Sequence, residues 1–260
     1  MYLIDSHCHL DFAQFDHDRN AILTNCKQLG INKIIVPGVT ADSWQTLINL
    51  CQQSAMLYPA LGLHPMFMAQ HQHADIHRLE QAIEEFRPIA IGEIGLDFYL
   101  KGHDKLSQSH VFEQQLQLAA DYQLPVILHV RKAHDQTLVL LKKYNLRGGI
   151  VHAFSGSYQQ AEHYIKLGFL LGVGGSISYD RATRVRRLFQ QLPLTSLALE
   201  TDAPDMPLQN QQGRRNSPEN IPLILHHLAS LRSESKTQLA TATSQNVDKI
   251  FFGKTSHSAQ

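Results

Sequence analysis

Short apolar runs rich in β-branched residues recur along the chain at 2–6, 33–37, 57–62, 89–93, 126–129, 149–152, 169–173 and 197–200. These read as eight strands, their starts about 28 residues apart, close to the repeat of an eightfold strand–helix barrel of ~250 residues. The segments between them carry helical spacing. In 104–122, Leu106, Phe112, Leu116 and Ala119 form an apolar stripe, and in 157–167 Tyr158, Ala161 and Ile165 do the same. Pro193 closes the helix before the last strand. The stretch 202–222, rich in Pro, Gln, Asn and Gly, predicts one long ordered loop, and 221–231 and 235–252 predict two closing helices. Strand–helix alternation from end to end predicts an α/β fold with a parallel sheet, closed as a (β/α)8 TIM-type barrel. One catalytic domain is expected over 1–254, followed by a short tail at 255–260.

Composition narrows the function. The 260 residues carry 23 Lys plus Arg against 23 Asp plus Glu, a formal net charge of zero. That argues against coating nucleic acid by bulk charge and leaves room for a local groove. Three Cys exclude a disulfide scaffold and fit a reducing compartment. No apolar run approaches the ~20 residues of a membrane span. The start, MYLIDSHCHL, has neither a basic nor a long apolar segment. A cytoplasmic protein, with no membrane contact and no obligate protein partner, is therefore expected. The anomaly is 16 His.

Barrels of this kind work at the C-terminal ends of their strands. Collected there are His7 and His9 after the first strand, Glu93 ending the fourth, His129 the fifth, His152 the sixth, and Asp202 just past the eighth. In extended chain, His7 and His9 point to one side and can approach one ion, while Cys8 between them points away and reads as packing. Chance alone gives about one His-x-His pair at this composition. The second pair, His71 and His73, lies in a polar stretch and reads as solvated loop. Glu93 ends an apolar strand, where an unpaired carboxylate is very costly, and a position between two cations explains it. Four imidazoles and two carboxylates without thiolate suit Zn, Mn, Fe, Ni or Co. Six ligands exceed what one open catalytic zinc takes, and two ions sharing Glu93 account for all six.

These pieces occur in the order Asp5-Ser6-His7-Cys8-His9-Leu10, Gly62-Leu63-His64-Pro65, Gly92-Glu93-Ile94-Gly95-Leu96-Asp97, His129-Val130-Arg131, His152-Ala153-Phe154-Ser155-Gly156 and Glu200-Thr201-Asp202-Ala203-Pro204. In that order they make the chain resemble the TatD family of metal-dependent hydrolases, within the amidohydrolase-like superfamily. Asp202 to Leu208 followed by Asn216-x-Pro218-Glu219 resembles its YjjV-type branch. The one departure near the ligands is Ala153, where the family often has Cys. The resemblance implies a distorted barrel, two divalent cations (Zn, Mn or Mg) and phosphodiester hydrolysis in DNA or related nucleotides. It implies that His7 and His9 hold one ion, His129 and His152 the other, that Glu93 bridges, and that Asp202 faces the first ion and serves as base for the attacking water.

Substrate contacts are expected from His64, Arg131, Arg214 and Arg215, the last two in the long loop beyond Asp202. An Arg fork matches phosphate oxygens. Arg181, Arg184, Arg186 and Arg187 read as a solvated helix face, and Phe98 and Tyr99 as packing or as a stacking platform for a base. Gly172 to Gly175 predicts either an anion-binding backbone or a tight turn. The same ion pair acting on an ester, lactone or amide is the first alternative, and a non-catalytic metal-binding protein the second.

Overall fold

The apolar runs become strands β1 (Leu3–Asp5), β2 (Ile31–Pro37), β3 (Leu57–Leu61), β4 (Ala90–Asp97), β5 (Val126–Arg131), β6 (Gly149–Val151), β7 (Phe169–Val173) and β8 (Leu197–Leu199) in a computed structural model that describes residues 1–99, 102 and 104–253. They pair in chain order, every ladder parallel. Helices α1 (Arg19–Gln28), α2 (Trp44–Gln52), α3 (Asp75–Phe86), α4 (Lys105–Asp121), α5 (His134–Leu141), α6 (Tyr158–Lys166) and α7 (Thr183–Gln191) each return the chain to the next strand. After β8 come α8 (Ile221–Leu231) and α9 (Lys236–Val247). The fold is the eightfold barrel expected. The proposed tail, 255–260, lies outside the described residues.

The barrel closes irregularly. No ladder joins β8 to β1; single backbone bonds do the work, Ser6 N–H to Leu199 O at 3.0 Å, Asp202 N–H to His7 O at 2.9 Å and His9 N–H to Ala203 O at 2.8 Å. The Asp5 carboxylate adds to this seam by accepting from the Thr201 hydroxyl at 2.6 Å and the Thr201 N–H at 3.0 Å. One inward residue from every strand fills the interior: Ile4, Ile35, Ala60, Ala90, Ile127, Ile150, Leu170 and Ala198. Val247 and Phe251 complete that layer from the chain's C-terminal end. They arrive beside strand starts, where Phe252 meets Tyr58 edge-on and Lys33 reaches Asp248 at 2.7 Å. The N-terminal mouth is therefore plugged, and the rim available for chemistry is the other one.

Two elements differ from expectation. The closing helix expected over 235–252 ends at Val247 and gives way to a wider π-type turn, Asp248–Phe252. More consequential is β4, which continues past Glu93 to Asp97. Its register against β5 gains a residue between Ile91 and Ile94, a bulge at Gly92-Glu93. A bulge re-aims side chains at a barrel rim, and here the following residues pair on as far as Asp97 with Arg131. Gly62 permits this approach, since a Cβ there would lie 2.7 Å from the Gly92 carbonyl carbon. Among the described residues no helix is long and apolar enough to cross a membrane.

Candidate metal centre

The rim brings all six expected ligands together around Glu93. The bulge turns its carboxylate into the barrel mouth, where it is almost fully buried. Oε2 faces His7 Nε2 at 3.2 Å and His9 Nε2 at 3.3 Å. Oε1 faces His129 Nδ1 at 3.0 Å and His152 Nε2 at 3.4 Å. Asp202 Oδ1 stands 3.4 Å from His7 Nε2 and 3.8 Å from His9 Nε2. Three groups gather ligand atoms within 4.8 Å of one another: His7, Glu93 and His152; His7, His9 and Asp202; His64, Glu93 and His129.

The rings' far nitrogens decide what the near ones offer. A neutral imidazole has one N–H and one lone pair. His9 Nδ1 lies 3.2 Å from the Pro37 carbonyl, which can only accept, so the hydrogen sits there and Nε2 presents its lone pair to Glu93. His129 Nε2 lies 3.1 Å from Asp97 Oδ2, which leaves the Nδ1 lone pair aimed at Glu93. His152 turns Nδ1 toward Glu200 Oε1 at 3.6 Å and Nε2 inward. Lone pairs facing a carboxylate, from His9 at 3.3 Å and His129 at 3.0 Å, repel unless positive charge lies between them. The 3.3 Å between His7 Nε2 and His9 Nε2 also matches the edge of a tetrahedron, about 3.3 Å, built on bonds of ~2.0–2.1 Å. Nitrogen and carboxylate oxygen, with the Asp97 carboxylate and the Pro37 carbonyl fixing two of the rings, are the donor set of a divalent transition metal, and these residues fit one.

His64 is different. Met66 N–H donates to its Nδ1 at 3.1 Å, so Nε2 carries the hydrogen and donates to Glu93 Oε1 at 3.0 Å. It holds the bridging acid with a hydrogen bond instead of offering a lone pair.

The protonation balance tells the same story. Burial, with His152 and His9 adding like charge, draws His7 down to about 3, and burial draws His64 down to about 4, so both are neutral. Burial also opposes charge on His9 and His152, yet Glu93 and Asp202 outweigh it and lift them to about 9 and about 10. Glu93 is pushed up by burial but held well below the carboxylate range by the imidazoles around it. Without an ion, protons on His9 and His152 supply the positive charge the cluster demands. Burial raises Asp202 to about 6, against the pull of His152 and His9.

The outer carboxylates Asp97 and Glu200 were not identified as such from sequence. Both are buried; Glu200 accepts from Ala153 N–H at 2.5 Å. The Gly172 and Gly174 backbone leaves room for the Glu200 side chain, and a Cβ on Gly172 would collide with that carboxylate. The glycines at the end of β7 and just past it thus make space for an anion of the protein's own. Arg131 is exposed, its guanidinium 3.9 Å from the centroid of the Tyr99 ring. Arg214 is exposed in the long loop. Arg215, expected to meet substrate, is engaged elsewhere: both terminal nitrogens bind the Asp18 carboxylate, at 2.9 and 2.5 Å, one also donates to Gln14 O, and the guanidinium stacks on Phe15. The pairing consumes the fork that would have bound a phosphate. His71 is a second correction. Its Nε2–H donates to the His64 carbonyl at 2.9 Å and the ring is partly buried, whereas His73 is exposed. Arg184 is not a purely solvated side chain either, since it donates to Ser155 O at 2.5 Å.

Residues 4–252 match the family model described as TatD related DNase. The chain is 44% identical to an uncharacterized metal-dependent hydrolase, YjjV, of Escherichia coli K12, over 95% of this chain and 97% of that protein. It is 32% identical to a protein of Citrobacter rodentium named 3'-5' ssDNA/RNA exonuclease TatD, over 96% of this chain and 97% of the other. The crystal structure of E. coli YjjV superposes with a TM-score of 0.93 at 43% identity, covering 96% of this chain and 98% of that one. With the barrel, the bulged acid and the ring of histidines, these matches place the chain in the TatD-related DNase family, as a metal-dependent hydrolase.

Proposed function

We propose that the protein hydrolyses phosphodiester bonds of DNA or related nucleotides with two divalent cations, Zn, Mn or Mg, held by His7, His9, Glu93, His129, His152 and Asp202. The observation that carries this is the division of Glu93: one oxygen turned to His7 and His9, the other to His129 and His152. A single carboxylate between two donor sets suits a bridged pair. The name of the Citrobacter relative, 3'-5' ssDNA/RNA exonuclease, supports nucleic acid as the substrate class. Three buried free cysteines favour work in a reducing cytoplasm.

Ions bound there supply Lewis acidity toward a phosphoryl oxygen and acidify water. The protein's own groups do the rest. Asp202 is the base: it keeps 14% side-chain exposure beside fully buried His7, so attacking water can reach it. Asp97 fixes His129, the Pro37 carbonyl fixes His9, and His64 fixes Glu93 by hydrogen bond. Arg131, at the end of β5, is the group we assign to orient the substrate phosphate, while His64, whose one hydrogen goes to Glu93, acts through that acid.

The test is turnover of bis-p-nitrophenyl phosphate, single-stranded DNA and RNA, and p-nitrophenyl acetate by protein loaded with Zn²⁺ or Mn²⁺. Phosphodiester turnover is expected. Asp202→Asn keeps a coordinating oxygen but no base, so metal should stay while turnover falls ~10²–10⁴-fold. A base acts when ionised, so kcat/KM should fall as pH drops below an acid limb at or below about 6, the Asp202 value before cations lower it further. Ready ester cleavage without phosphodiester turnover under either metal would replace this reading with that of a carbonyl hydrolase.

A further inference from the structure

Beside the metal centre lies a cavity of about 610 Å³. Its walls come from the ends of β4 and β5, the start of α5, the turn after His152, and α7. Three of those walls begin one short step from a ligand or its holder. Arg131 follows His129 on the same face of β5, ~7 Å nearer the rim. Tyr99 N–H donates to Asp97, the carboxylate that fixes His129, at 2.9 Å. Ser155 and Gly156 follow His152 by three and four residues.

Arg131, Lys132 and Arg184 bring three positive charges to this cavity, and among the described residues no carboxylate forms an ion pair with any of them. The cavity's one acid, Asp135, already accepts from Gln160 at 2.8 Å. In a chain of zero net charge this is a concentrated positive site. Tyr99, 56% exposed, stacks one face on the Arg131 guanidinium at 3.9 Å. Cations spaced along a wall with an aromatic ring among them are what a single strand uses: phosphates meet the cations and a base stacks on the ring.

We infer that this cavity is the subsite for the nucleotides flanking the scissile bond, with Arg131 and Arg184 contacting successive phosphates and Tyr99 stacking on a base. The inference rests on the phosphodiester reading and adds where the rest of the strand lies, on the β4–β6 side of the rim and not under the loop after β8. Arg184 is held for this by its bond to Ser155 O, which leaves its remaining N–H groups for an anion.

The experiment is binding of a labelled phosphorothioate octathymidylate, which resists cleavage, to metal-loaded protein at several salt concentrations. Each single-strand phosphate contact contributes about −0.7 to the slope of log affinity against log salt. Arg131→Gln with Arg184→Gln should weaken binding and make the slope shallower by about 1.4. Tyr99→Ala should weaken binding at least about fivefold and leave the slope alone. Arg187→Gln, an equal loss of charge at an exposed α7 position that does not line the cavity, should keep the slope. Circular dichroism and metal content confirm that each variant is folded and loaded. The inference is overturned by a wild-type slope in the double variant, by an equal effect of Arg187→Gln, or by no binding to wild type. Hydrolysis of bis-p-nitrophenyl phosphate by wild type judges the phosphodiester reading separately. If it fails while the slopes change as stated, the cavity stands as a nucleic-acid site.

Discussion

A neutral imidazole has one hydrogen to give, so the group that takes it at one nitrogen decides what the other can do. This separates His64 from its neighbours more sharply than position does. His64 spends its hydrogen on Glu93 because Met66 N–H occupies the other nitrogen, whereas His129 spends its hydrogen on Asp97 and faces Glu93 with a lone pair. The His64 backbone is in turn held by His71, whose ring reaches back to the His64 carbonyl. His71→Ala should therefore loosen Glu93 indirectly and weaken metal binding by up to ~10-fold, the low end for an outer partner. His73→Ala, at an exposed position, should leave it unchanged; titration calorimetry on the stripped protein reads both. Equal behaviour of the two variants would show that the bond to His64 carries nothing. That the six expected ligands converge was legible in the sequence because each lies at or just past the end of an apolar run. Asp97, Glu200 and His71 were not, since their roles depend on which atom each side chain touches across the fold. No spacing along the chain encodes that.

At the scale of elements, the strand order was legible from alternation and the geometry at its key point was not. A run of apolar residues through Ile94 and Leu96 looks continuous, and nothing in it marks the extra residue by which β4 slips against β5. That slip sends Glu93 inward and lets Asp97 come level with Arg131, which fixes both His129 and the cavity wall. In the loop after β8, from which Arg214 and Arg215 were expected to reach substrate, Arg215 instead ties the chain to the start of α1 through Asp18. Asn216 holds it further by donating to the Thr201 and Asp205 carbonyls at 2.9 and 2.8 Å. The Asp18–Arg215 pair is part-exposed and worth only ~1 kcal/mol as a charge pair, with packing on Phe15 added. Arg215→Ala should thus lower the denaturant midpoint modestly, by about 1 kcal/mol of stability, and leave the salt slope for single-stranded DNA at its wild-type value. A shallower slope would return the arginine to the substrate.

For the whole molecule, the cluster is a buried site whose charge is met either by protons or by metal. Folding raises His9 to about 9 and His152 to about 10, from 6.5 in the unfolded chain. A raised histidine stabilises fully below the unfolded value, and that contribution is lost as pH rises through the folded one. Metal-free protein should therefore lose stability from these two groups between pH 6.5 and about 10. His7 and His64, lowered to about 3 and about 4, act in the opposite direction and only below pH 6.5. Metal reverses the alkaline trend, because it binds the same nitrogens without their protons. Loading at neutral pH should release up to about two protons, seen as a dependence of the calorimetric enthalpy on buffer ionisation, and affinity should rise with pH toward 9. Two equivalents of Zn²⁺ or Mn²⁺ at 100 times their dissociation constants should each add ~2.7 kcal/mol, so the loaded protein's melting temperature stands above that of the chelated one. The gap between the two should widen from pH 7 to pH 9 as the chelated protein weakens and metal binds tighter. Saturation at one ion would remove the bridged pair. A gap that narrows over that range would mean that His9 and His152 do not carry the protons that the metal displaces.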